Sequence, residues 1–299
     1  MNHKLTPSTI LLLVTPPLLW SGNAIVGRMI HEMLPPITLN FIRWVLAFLI
    51  LLPMAFRIYR RDSTLWRNWR RYAVLGLLGV GLYNALQYLA LQSSSPINVT
   101  LVAASMPVWM LIVGSLFFQA KVTRWQLAGA AMSIAGVLLV LSRGELAQLL
   151  ALRLVPGDLF MIIATIAWSL YSWLLTRGDD AELRNRWADF LLAQVSFGVL
   201  WSAAFSAAEW TLMKPAIHWN PMLFAALAFV AIGPAVIAFR CWGLGVQRVG
   251  PNVAAFFNNL TPLFAALMSA AFLGESPHLF HAVAFMCIVG GIVLSSRRA

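Results

Sequence analysis

Charge is what this sequence has least of. Of its 299 residues 10% are charged, where soluble domains carry roughly 25%, and only 10 are acidic. So little charge cannot cover the surface of a chain that is 61% hydrophobic, which excludes an ordinary water-soluble core. The acidic residues are Glu32, Asp62, Glu145, Asp158, Asp179, Asp180, Glu182, Asp189, Glu209 and Glu275, and all fall in connections or near the ends of apolar stretches. With no central carboxylate to relay protons or hold a lipophilic cation, a proton-coupled pump for cationic drugs is disfavoured. Cysteine is almost missing as well. Cys241 and Cys287 lie inside apolar stretches, are not spaced as metal ligands, and read as packing residues. His278 and His281 stand three apart without further ligand types nearby, which reads as an interfacial pair rather than a metal site. A phosphate-binding loop, an HExxH motif and a nucleophile–base arrangement are all lacking, so neither ATP-driven chemistry nor an enzyme is expected, and no cofactor.

What fills the sequence instead is apolar length. Ten stretches of about 17 to 22 residues, each sufficient as a helix to cross a hydrocarbon layer of about 30 Å, run approximately over 10–27, 37–56, 72–92, 97–118, 126–142, 157–176, 188–208, 222–243, 253–273 and 279–295. The expected fold class is an all-α polytopic membrane protein with ten transmembrane helices. A net charge of +11 raises the question of nucleic acid. The basic residues, however, sit in short connections, where membrane topology accounts for them and no nucleic-acid partner is implied. Lys4, then Arg57, Arg60, Arg61, Arg67, Arg70 and Arg71, then Lys121, Arg124, Arg177, Arg184, Arg186, Arg248, Arg297 and Arg298 share one side. The other holds Arg28, Arg143, Arg153 and Lys214. This bias predicts both termini on the cytoplasmic side of the membrane. The run after Met1–Thr9 is followed by Pro16, Pro17, Trp20 and Asn23 without a small-residue cleavage site, and reads as a retained first span.

The apolar stretches repeat. At a constant offset of 155, Gln92 pairs with Gln247, Pro96 with Pro251, Pro107 with Pro262 and Gly136 with Gly291; further upstream Trp20-Ser21 falls on Trp168-Ser169 at an offset of 148. Residues 1–148 and 149–299 are therefore expected to be two five-helix repeats. Five is odd, so the second copy crosses the membrane inverted, a geometry that can open one midplane site to either side in turn. Breaks are expected at Pro16-Pro17, Pro107, Gly233-Pro234 and Pro262, where freed backbone groups must face protein or a wet cavity. Residues 57–71, rich in arginine and carrying Trp66 and Trp69, form an amphipathic connection suited to lipid headgroups.

Polar side chains inside the spans are the informative ones, and helical spacing sorts them onto faces. Trp20 and Asn23 lie three apart; Asn84, Gln87 and Tyr88 share a face; Asn98, Ser105 and Trp109 recur at seven and four. Trp168 and Ser172 lie four apart with Tyr171 beside them, and Phe256, Asn258 and Asn259 mark the ninth span. Amides and hydroxyls can orient the polar group of a small amphipathic solute while rings cover its apolar part, and an ammonium can lie against Trp20, Trp109 or Trp168. The same residue types also serve as interhelical glue and headgroup-level anchors. Arg43 lies about 10 Å along the second span, where it can meet a carboxylate or phosphate, or brace Asn40 and snorkel outward. Arg240, close to a span end, is placed to snorkel.

Several segments carry a family resemblance: Leu19-Trp-Ser-Gly-Asn-Ala-Ile-Val-Gly27, Pro96-Ile-Asn-Val-Thr-Leu101 through Met106-Pro107, Asn258-Asn-Leu-Thr-Pro262 through Leu273-Gly-Glu-Ser276, and the glycines around Gly129–Gly136 and Gly290-Gly291. Over nearly its entire length the chain resembles the drug/metabolite transporter superfamily, in particular bacterial exporters with two EamA domains. The resemblance implies ten spans in two inverted repeats and export of amino acids or related metabolites, aromatic or other apolar ones among them. It also implies a central cavity between spans 1, 3, 4, 6, 8 and 9. On this chain Trp20, Asn84, Asn98, Ser105, Trp109, Trp168 and Asn259 become the expected lining; Arg43, from its position in the second span, is a possible anion contact, with the structural role favoured. Gln119-Ala120-Lys121 replaces Gly274-Glu275-Ser276 in the first repeat, which argues against a symmetric gate. Broader export of metabolites or amphipathic drugs, and a non-transporting receptor or scaffold, remain alternatives at this stage. The expected partners are a small-molecule substrate and membrane lipid, with no obligate protein partner evident.

Overall fold

The computed structural model describes residues 5–30, 32–94, 96–145, 147, 155–213, 216–273 and 279–297. Glu275, His278, Lys4, Arg153, Lys214 and Arg298, used above, lie outside them. Helices are the regular secondary structure of the described residues, which include no strand. In chain order the long elements are α1 (Pro7–Met29), α2 (Pro36–Ala55), α3 (Trp69–Ser93), α4 in two pieces (Pro96–Ala104 and Met106–Phe118) and α5 (Arg124–Leu141). They continue with α6 (Pro156–Leu174), α7 (Trp187–Met213), α8 (Pro221–Val249), α9 and α10 (Leu279–Ser295). Helix α9 starts as Pro251–Ala255, tightens to a 3-10 turn at Phe256–Asn259 and resumes as Leu260–Leu273.

The sequence places these starts. Proline, whose missing N–H would be unpaired in a first turn anyway, opens α1, α2, α6, α8 and α9. The side chain of Thr6 caps α1, Asn220 caps α8, and Thr123 and Gln126 form a reciprocal capping box on α5.

Among the described residues 7 helices are long and apolar enough to cross a membrane, or up to 8 if the bent pieces of α4 count as one span, fewer than the ten expected. The remaining departures from ten straight spans have local causes. Helix α4 bends by 43° just before Pro107, whose ring displaces the carbonyl one turn back. Helix α9 is interrupted by its 3-10 turn, leaving a piece of 14 residues, and α10 has 17. Pro16 and Pro17, in contrast, leave α1 continuous. Lipid is the natural environment of the outer face, where Leu116 (71% exposed), Leu212 (83%) and Leu279 (81%) would be intolerable in water as a continuous belt.

Two wider, π-type segments occur, Gly76–Leu82 within α3 and Ala231–Ile237 within α8, at the same offset of 155 that links the sequence repeats. Pro234 supplies a reason in α8, because it cannot donate the ordinary helical bond; in α3 three glycines stand in the segment. Packing follows the same relation. Helix α5 lies along α10 and α2 along α7; α1 packs on α8 and α9 as α6 packs on α3 and α4. Exchanging every helix with the one five places on leaves this list unchanged. At the α5–α10 seam a Cβ on Gly129 would stand 2.7 Å from the Gly291 carbonyl oxygen, and one on Gly136 would stand 2.8 Å from that of Ala284. Only glycine permits backbones that close.

Two buried carboxylates fasten two helix starts differently. At the start of α2, the buried Glu209 carboxylate of α7 accepts the Ile37 and Thr38 backbone N–H groups (3.0 and 2.7 Å) and the Thr38 hydroxyl (2.7 Å). Negative charge there complements the helix dipole. At the start of α3, Asp180, wholly buried, receives Arg71 Nε at 2.8 Å, Arg184 Nε at 2.9 Å and the Tyr72 hydroxyl at 2.8 Å.

Candidate functional site

Aromatic side chains from four helices converge on Trp168 of α6. Its ring centroid lies 5.3 Å from Trp20 (α1), 5.1 Å from Tyr83 (α3), 5.0 Å from Tyr171 (α6), and 5.5 and 5.6 Å from Phe239 and Trp242 (α8). Edge-to-face and tilted geometries dominate, as the ring quadrupoles favour. Local helix geometry makes the cluster possible: Trp168 and Tyr171 are three apart on α6, as are Phe239 and Trp242 on α8, so each pair shares a face. Trp44 of α2 backs the cluster, 4.7 Å from Phe239.

Hydrogen bonding within this box is incomplete. Trp20 Nε1 donates to the Pro234 carbonyl (3.2 Å), in the π segment of α8, and Trp242 Nε1 donates to Ser172 Oγ (3.2 Å). The Nε1 atoms of Trp44 and Trp168 are buried without a hydrogen-bond partner. Such donors are costly to leave unmatched and mark a place where an acceptor would be held.

The expected lining residues separate into three groups. Trp20 and Trp168 belong to the box, and Asn84, buried one residue beyond Tyr83, lies in α3 with no side-chain hydrogen bond among the described residues. Asn98 and Asn259 are engaged in holding helices together. Asn98 Nδ2 donates to Asp158 Oδ2 (3.1 Å), which also accepts the Val155 N–H, while Ser94 Oγ donates to Asp158 Oδ1. Asn259 Nδ2 donates to Ser133 Oγ of α5 at 2.9 Å. Ser105 and Trp109 flank the bend of α4, where Ser105 Oγ donates to the Val102 carbonyl. Arg43 is 3% exposed, its terminal nitrogen donating to Asn40 Oδ1 (2.7 Å) and its guanidinium 5.3 Å from the Trp44 ring centroid.

Tyr83, Phe239 and Trp242 were not in the expected lining. The repeat itself pointed to one of them, since Phe239 stands 155 residues after Asn84. A cleft lined by Tyr171, Trp187, Gln194, Phe239, Arg240 and Gln247 leads toward the box from the end of α8. At its mouth Arg240 stacks on Trp187 at 4.5 Å, so this arginine covers a ring in addition to any snorkelling. A larger surface groove between Pro53–Arg57 and Arg186–Asp189 shares Trp187 with this cleft but none of the rings that meet Trp168. Among the described residues no group of three His, Cys, Asp or Glu side chains could hold a metal ion.

A polytopic helical bundle with a buried aromatic site contributed by several helices has the form of a small-molecule transporter. The model of the EamA-like transporter family matches residues 7–142 and 155–297, and the chain belongs to that family; it is a transporter and not an enzyme. An uncharacterized transporter of Archaeoglobus fulgidus is 27% identical over 298 residues, covering 100% of this chain and 99% of the relative. The aromatic amino acid exporter YddG of Ancylobacter novellus is 25% identical over 234 residues (78% and 77%), and the uncharacterized inner membrane transporter YedA of Escherichia coli K12 is 24% identical over 281 (93% and 87%). A crystal structure at 23% identity superposes with a TM-score of 0.74 over 97% of this chain and 96% of the other, a likeness of fold alone.

Proposed function

We propose that this protein is a secondary exporter of small amphipathic metabolites, working by alternating access around the aromatic box. In this reading α1–α10 are ten spans in two inverted halves, residues 1–148 and 149–299, with both termini cytoplasmic in the inner membrane. The observation that carries it is the meeting of Trp20 and Tyr83 from one half with Trp168, Tyr171, Phe239 and Trp242 from the other. A site built across two halves closes or opens when the halves rock, and the π segments of α3 and α8, beside the box, are where those helices deform. The cleft ending at Arg240 and Trp187 would be the cytoplasmic approach.

Aromatic and other apolar amino acids are the narrower substrate class within this reading. Ring walls suit their side chains, and one similar protein is named as an aromatic amino acid exporter. Counterflow tests both levels. Liposomes holding the purified protein are loaded with one solute at a time and challenged with labelled solute outside. Accumulation of a few aromatic or apolar amino acids supports the narrow class, and accumulation of chemically unrelated amphipathic solutes supports only the broad one. No accumulation of any solute, from protein shown to be folded and inserted, overturns the transport reading.

A further inference from the structure

We infer that Arg43 is the receptor for a carboxylate on the transported solute, so that the site selects anionic and zwitterionic solutes over neutral or cationic ones of the same shape. The inference rests on the transport reading above and adds the charge of the substrate.

The argument begins with an imbalance. Arg43 is 3% exposed in the interior of α2, yet among the described residues no carboxylate pairs with it. Its hydrogen bond goes to the neutral Asn40, and its Nε is buried without a partner. An arginine in this position stays charged, and an uncompensated charge away from water is among the costliest arrangements a fold can hold. Asn40 does not discharge it but fixes it. The Asn40 amide is itself held by donating to the Val80 carbonyl in the π segment of α3 (3.2 Å) and to Ser202 Oγ of α7 (3.4 Å), so its Oδ1 presents one face of the guanidinium in a set direction.

The neighbours point the same way. Trp44 lies beneath the guanidinium at 5.3 Å and its Nε1 is also buried without a partner; Trp44 contacts Phe239 at 4.7 Å, Phe239 contacts Trp168 at 5.5 Å, and Trp168 Nε1 is unpartnered too. Three buried N–H donors without acceptors thus lie along one chain of touching side chains, and one carries a full charge. An indole N–H can be partly satisfied by a ring face, but the guanidinium charge cannot. A carboxylate supplies what is missing, namely negative charge and several lone pairs in a plane that matches the guanidinium fork.

The test uses the full-length protein and four probes with one ring: phenylalanine, 3-phenylpropionate, phenylalaninamide and phenethylamine. Binding is read from tryptophan fluorescence in detergent and transport from counterflow. The wild type is expected to bind the two carboxylates at least tenfold more tightly than the amide and amine. In Arg43→Gln the ratio of carboxylate to amide affinity should collapse at least tenfold, and Arg43→Lys, which keeps the charge and guards against a folding defect, should retain part of it. Equal affinities for all four probes in the wild type, or carboxylate and amide affinities falling together in folded Arg43→Gln and Arg43→Lys, overturn the inference. Carboxylate selectivity in binding without counterflow would uphold Arg43 while removing the transport reading. Counterflow that ignores the carboxylate would do the reverse.

Discussion

Gly79 sits in the π segment of α3 directly against the face of Tyr171, and a methyl group added there meets the ring. A Cβ built on Gly79 would stand 2.6, 2.7 and 2.8 Å from Tyr171 Cε2, Cδ2 and Cζ. Carbon atoms in contact prefer about 3.5–4.0 Å, so the ring of Gly79→Ala must withdraw by about 1 Å. Tyr171 has little room to do so, since it is 1% exposed and packed against Trp168 and Phe239. Overpacking of this kind costs about 1–3 kcal/mol, against which alanine returns about 0.5–1 kcal/mol of helix propensity. A suitable control is Gly243→Ala in α8, where nothing lies within 4 Å of the added methyl and only the propensity gain should remain. Thermal unfolding of the purified variants, followed by intrinsic fluorescence, should place Gly79→Ala below wild type and Gly243→Ala at or above it. Adding Tyr171→Ala should relieve part of the Gly79→Ala defect, a coupling that a double-mutant cycle reads directly. If Gly79→Ala melts with Gly243→Ala and shows no coupling to Tyr171, the ring does not pack on α3 and the box as described is wrong.

Further expectations concern other parts of the molecule. Asn84→Ala combined with Trp168→Ala should abolish most counterflow while the protein still elutes as a folded species; undiminished counterflow would remove both from the binding site. Glu209→Gln keeps the shape of the side chain but weakens its bonds to Ile37, Thr38 and the start of α2, for a loss of about 1–3 kcal/mol visible as a lower melting temperature. Asp180→Ala leaves Arg71 and Arg184 without their shared carboxylate and should cost about 3–5 kcal/mol, with an unchanged melting temperature as the contrary result.

Much of the fold was legible because hydrocarbon imposes a simple grammar of length and apolarity. The helix starts at Pro36, Pro156 and Pro221 and the breaks near Pro107 and Pro234 were visible as residues. The π segment of α3 was not, since its glycines carry no signature separating that turn from an ordinary packing contact. For the site, the repeat pairs Trp20 with Trp168 and both stand in the aromatic box, whereas spacing could not show that Asn98 bonds Asp158, distant by 60 positions and aligned with it only after folding. Tyr83 was missed because period alone does not say which face of α3 turns toward α6.

The unlike fastenings at the starts of α2 and α3 carry a consequence for energetics. The first is tied by a carboxylate bonded to backbone and hydroxyl groups, the second by an ion-paired cluster whose arginines retain 16% and 21% exposure to solvent. Mobile ions weaken partly exposed charge pairs much more than buried cap bonds. Added salt should therefore loosen the Asp180 cluster selectively and leave the start of α2 in place. In the alternating-access reading proposed above, the two faces of the protein would then answer differently to the same bath.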